Sequence, residues 1–133
     1  MTIKRLASIV LLTILGLTTP ANAYNRQHLA ILLQTKQCRG CDLSGANLGQ
    51  VDLKDADLRN AYLAGANLKG ANLSGALLVR ADLSQVNLSQ ALIVGADLKQ
   101  AQLTNANLSG ADMRLSRLTF ATLLGADLSY ADM

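Results

Sequence analysis

The side chains able to do chemistry are few, and their spacing argues against a reaction. Cys38-Arg39-Gly40-Cys41 contains the only two cysteines of the 133-residue chain, and His28 is the only histidine. All nine acids are Asp. A CxxC pair supports either a structural disulfide or a redox-active dithiol. The redox chemistry favours a thiolate at a helix N-terminus in a βαβ setting. Here the pair follows a helical stretch and enters repetitive chain, which favours the structural reading, a Cys38–Cys41 disulfide. A metal site built from the two Cys and His28 would have three ligands and no fourth nearby, so no metal is expected. His28 reads as a solvated helix residue, and eight of the nine Asp recur at one position of a repeat. Nothing converges as a general acid, base or nucleophile must. Neither catalytic nor cofactor-binding residues are expected, and the chain reads as non-enzymatic.

The elements holding these residues begin with a leader. Lys4 and Arg5 precede the apolar run Leu6 to Leu17, and Pro20-Ala21-Asn22-Ala23 ends in a small-x-small pattern. Residues 1–23 therefore read as a secretory signal peptide cut after Ala23. Twelve apolar residues rise about 18 Å as a helix, short of the roughly 30 Å hydrocarbon core, so no stable membrane anchor is expected. Removing Lys4 and Arg5 lowers the formal charge from +3 to +1. The apparent basicity, and any pull toward nucleic acid, then belongs mostly to the leader.

From Cys41 the chain has a period of five. Nineteen positions from Leu43 to Met133 in steps of five are all Leu, Ile or Met. Two residues before each stands Ala, replaced only by Cys41, Val51, Val86 and Ser116. Between the columns lies mostly Asp or Asn, as in Ala46-Asn47-Leu48 and Ala56-Asp57-Leu58. On an α-helix a step of five scatters the Leu residues around the cylinder, and on a strand it alternates them between faces. A chain that bends once per repeat turns both columns to a common axis. Gly45, Gly65, Gly70, Gly75, Gly95, Gly110 and Gly125, with Asn60 and Asn105, share the bend position. These types tolerate unusual backbone angles. The pattern predicts a solenoid.

The A(D/N)LXX unit, repeated nineteen times over Cys41 to Met133, resembles the pentapeptide repeat proteins. The resemblance implies an all-β solenoid, a right-handed quadrilateral β-helix with four repeats per coil, hence about five coils. Asn47, Asn67, Asn87 and Asn107 recur every twenty residues, as an amide ladder up one wall would. Residues 24–40 then form a capping helix and linker, and 41–133 the repeat domain. Within Asn25 to Gln37, Leu29, Leu32 and Leu33 group on one side of a helix, with Asn25 as its N-cap.

The outward slots suggest where a partner binds. Leu77 and Val79 fall on one wall and Leu92 and Val94 on the next, one coil higher, giving a candidate apolar patch. Leu115, Phe120, Leu124 and Tyr130 occupy outward or corner slots of the final coil, pointing to a homodimer or a docked partner there. The expected function is a non-catalytic exported scaffold for an unidentified protein partner, in the periplasm or, in a photosynthetic bacterium, the thylakoid lumen. The alternative is a DNA mimic acting on gyrase, as the resemblance implies for some relatives. Mimicry requires a strongly negative surface. Arg59, Arg80, Lys99 and Arg117 line one wall instead, and neither a dense basic groove nor stacking aromatics suits direct nucleic-acid binding.

Overall fold

A computed structural model describes residues 24–133, so the leader assigned to 1–23 lies outside the described residues. One helix, α1 (Arg26–Thr35), precedes the solenoid. Asn25 caps it, its side-chain oxygen accepting from the backbone N–H groups of Gln27 and His28 at 2.9 and 3.2 Å. Lys36 ends it in the left-handed region, its N–H returning to Leu32 O. Leu32 is fully buried against the first coil and Leu29 partly so, while Leu33 is 52 % exposed. The expected three-leucine face is therefore narrower. A lid one helix wide covers a square coil along a single line, and Leu33, about 100° beyond Leu32, turns away from it.

After α1 the described residues contain no continuous strand, only isolated parallel bridges, each joining a residue to the one twenty positions later. The series runs from Gln37↔Asp57 to Asp112↔Asp132. Four repeats thus complete one coil. Around Leu83 the backbone bonding is representative: Leu83 N–H donates to Gln102 O at 2.7 Å on the following coil, and Asp82 N–H to Ala61 O at 2.9 Å on the preceding one. Gln85 N–H donates to Thr104 O, and Val86 N–H closes the corner on Leu83 O. Stacked coils thereby satisfy the backbone polar groups that a narrow apolar interior cannot.

The two inward columns form the core. Every Leu or Ile of the main column from Leu43 to Leu108 is buried, as are nearly all Ala positions between them. Toward the C-terminus burial fades: Leu118, Leu123 and Leu128 are partly buried and Met133 is 72 % exposed. Each corner from 45 to 130 carries one residue with positive φ, and the bend is not confined to Gly and Asn. Gln50, Asp55, Arg80, Gln85, Gln90, Gln100, Leu115, Phe120 and Tyr130 adopt it as well, with φ between 57° and 63°. The left-handed conformation costs such residues about 1–2 kcal/mol. Two neighbouring coils hold each corner in place, so the stack enforces what the local sequence disfavours.

Candidate interaction surface

The groups that could do chemistry are spread out or committed to structure. Cys38 and Cys41 are bonded, with sulfurs 2.07 Å apart and both residues buried. The Asp42 N–H donates to His28 Nδ1 at 2.9 Å, and Asn25 N–H donates to Asp42 O at 2.9 Å. His28 is therefore not the solvated helix residue its position suggested. Its ring clasps α1 to the first coil, a contact across fourteen positions that no local pattern announces. Among the described residues no group of His, Cys, Asp and Glu is placed to hold a metal ion, and no helix is long and apolar enough to cross a membrane.

Four walls carry the outward side chains. On the wall of Gln37, Asp57, Leu77, Asp97 and Arg117, two Asp are nearly buried, each 8 % exposed. Asp57 receives two bonds from the Arg59 guanidinium, at 2.8 and 2.6 Å, and one from Arg39 at 3.5 Å. The Arg59 contact holds the Asp57 carboxyl down at about 2, against an ordinary 3.8. Arg117 donates to Asp97 at 2.7 Å across one coil, and Arg80 Nε donates to Gln100 at 2.9 Å. Of the basic wall, Arg59 and Arg117 thus neutralise their own acids. Leu77, half-buried, stands between Asp57 and Asp97 in the ladder and separates the two ion pairs. Val79 is half-buried at the following corner.

The neighbouring wall behaves differently. Leu92 is 45 % exposed, and Val94 lines an apolar cavity of about 550 Å³ with Arg114, Leu115 and Met133. The mid-rod pair Leu92 and Val94 is thereby continuous with the last coil. Leu115 and Phe120 are each 84 % exposed, Leu124 74 % and Tyr130 96 %. Leu115, Phe120 and Tyr130 occupy three corners of the final coil, and Leu124 stands beside the fourth, Gly125. Arg114 was not singled out by its sequence position. Its guanidinium grips Asp112 at 2.8 and 2.7 Å, which lowers the Asp112 carboxyl and sets a cation at the cavity rim.

A corner-bonded stack of square coils, convex and filled with aliphatic side chains, is a quadrilateral β-helix of the right-handed type. The chain belongs to the pentapeptide repeat family, which it matches in eight copies over residues 37–75 and 81–119. No curated protein matches the chain. Among solved structures it is similar to HetL, a pentapeptide repeat protein involved in heterocyst differentiation regulation from the cyanobacterium Nostoc sp. strain PCC 7120. The identity is 34 % and the TM-score 0.63, over 71 % of this chain and 50 % of HetL. The chain thus spans half the length of that relative. It is also similar to AT2G44920 from the Arabidopsis thaliana thylakoid lumen, at 38 % identity over 71 % of this chain and 70 % of that one, with a TM-score of 0.45. QnrB1, a plasmid-mediated fluoroquinolone resistance protein, matches at 23 % identity and a TM-score of 0.42, over 84 % of this chain and 57 % of that one.

Proposed function

We propose that this protein is a non-catalytic exported scaffold that engages a protein partner through its C-terminal coil. The observation that carries this reading is the exposure of Leu115, Phe120, Leu124 and Tyr130 at or beside the four corners of one coil. Corner side chains point sideways, so another coil stacked on this one would cover Leu118, Leu123 and Leu128 and leave the four corners outward. At the same corners of earlier coils the chain places Gly, Gln, Asn, Asp and Arg. A concentrated apolar ring on an otherwise polar rod is the signature of an association surface. The cavity beside Val94 and Leu115 extends it, offering a recess for an anchoring side chain.

A second copy of the chain is the first partner to test, because a two-fold contact needs only this one patch on both subunits. Export follows from the leader pattern of residues 1–23 and accords with a Cys38–Cys41 disulfide in the first coil, as an oxidising compartment permits. DNA mimicry is disfavoured, since Arg59, Arg117 and Arg114 offset Asp57, Asp97 and Asp112. Sedimentation and crosslinking of the mature protein test the surface. Dimers or a captured protein, lost in Phe120→Ser with the melting temperature retained, are expected. A monomer with no partner at this coil, indifferent to Phe120→Ser, overturns the reading.

A further inference from the structure

The wall of Asn47, Asn67, Asn87 and Asn107 places an uncharged amide at the ladder position of four successive coils, unlike the other three, with Lys69 the one charged side chain among those coils on this wall. Each Asn side-chain oxygen is used internally, accepting the backbone N–H two residues on, from Gly49, Lys69, Ser89 and Ser109. The Ser89 and Ser109 hydroxyls also donate to Asn87 and Asn107, both at 2.7 Å. Asn67 passes one amide hydrogen down to Asn47 at 3.1 Å. On the two coils above, the internal bonding leaves an amide N–H pair on Asn87 and Asn107 and lone pairs on the serine oxygens. Each coil therefore presents a donor beside an acceptor, and the pair repeats at the coil spacing of about 4.8 Å.

A polar cavity of about 380 Å³ lies on this wall. Asn107 and Ser109 form its side with Ser89, and Lys69 reaches it from the coil below. Its floor is Gly110, at a corner whose column reads Gln50, Gly70, Gln90, Gly110, Tyr130. The missing side chain at Gly110 opens a notch between Gln90 below and Tyr130 above. The Tyr130 ring, 96 % exposed, forms the upper lip.

We propose that this wall binds a glycan, a β-linked chain of hexose rings lying along the rod axis with one ring in the Gly110 notch. The donor and acceptor of Asn107 and Ser109 match two adjacent hydroxyls, one accepting and one donating. Tyr130 offers an aromatic face to the C–H side of a ring, and Lys69 adds a donor for a ring substituent oxygen. Extended β-linked chains repeat ring by ring at nearly the coil spacing, so the Asn87 and Ser89 pair meets the next ring. Amide and hydroxyl groups outnumber the single Lys69 cation in the lining, which favours a hydroxylated ligand over an ionic partner. The site shares Tyr130 with the proposed C-terminal contact, but its floor and side lie one coil earlier.

The test is calorimetric titration of the mature protein with cellohexaose and with chitohexaose, paired with NMR of the tyrosine ring signals. Saturable binding of at least one, with a dissociation constant of about 0.1–1 mM, is expected for so shallow a site. Tyr130→Ala should weaken it roughly tenfold, and Gly110→Gln should abolish it by filling the notch. Gln already occupies the same corner position, with the same sign of φ, at Gln50 and Gln90, so Gly110→Gln keeps the fold. It also leaves Phe120 untouched, which separates loss of the glycan site from loss of the association surface. Absence of saturable binding by both oligosaccharides, or binding that Gly110→Gln and Tyr130→Ala leave unchanged, overturns the proposal.

Discussion

Asp57 shows how an outward residue can become part of the structure. It sits in an outward slot of the repeat, yet its carboxylate is nearly buried under Arg59 and Arg39. A carboxyl held below its ordinary value stabilises the folded state while it is ionised and loses that contribution on protonation. The contribution is present above about pH 4 and is lost as pH falls toward 2, where the Arg59-bound carboxyl titrates. Asp57→Asn keeps the side-chain oxygen that accepts Arg59 N–H and removes the charge. It should lower stability by about 1–2 kcal/mol at neutral pH, discounted for the partly exposed guanidinium. The deficit against wild type should shrink below pH 4 in denaturant melts, and a deficit independent of pH would deny the ion pair its role. The Asp itself was legible in the sequence as a wall residue. Its partner was not, because Arg59 reaches it through side-chain torsions that the repeat pattern leaves open.

At the scale of elements, the coil and the cap are held by different means. A coil has no stability of its own, since its backbone bonds run to the coils before and after it. Leu83, fully buried at mid-stack, tests this directly. Leu83→Asp puts an unpaired charge where no partner can reach and should cost more than about 4 kcal/mol, a large share of a small domain's stability. Loss of the cooperative thermal transition in circular dichroism is the expected outcome, and a variant melting at the wild-type temperature would refute the inward column. The milder Leu83→Ala should cost about 2–5 kcal/mol and remain folded. The cap depends less on packing, since Leu33 and Ile31 stay exposed. Three specific ties hold it instead: the contact of Cys38 Sγ with His28 O, the His28 clasp on Asp42, and Asn25 bonded to Asp42 O. The helix and its N-cap were readable from Asn25 and the leucine spacing, but the clasp was not. It joins residues fourteen apart that meet only after the first coil has closed.

As a whole molecule the protein is a rod whose long sides differ. Two walls hold internal ion pairs, another carries the polar notch, and the final coil concentrates the apolar side chains at and beside its corners. If the leader is removed as its pattern implies, N-terminal sequencing of protein from the extracytoplasmic fraction should begin at Tyr24. Full-length protein confined to the cytoplasm would overturn export. The sequence by itself determined the solenoid and its two inward columns, because burial of Leu and Ala repeats every five residues and rewards only one kind of bend, while four repeats per coil came from the family resemblance and the bridges twenty residues apart. It also determined the amide wall, since a twenty-residue recurrence of Asn survives any detail of packing. Tertiary structure alone decided which outward residues meet: Arg117 with Asp97, His28 with Asp42, and Val94 with Leu115 and Met133. The physical reason is that hydrophobic burial settles inward or outward at each position from local pattern. Outward contacts instead depend on coil closure, which brings distant residues together, and on side-chain torsions of nearly equal energy.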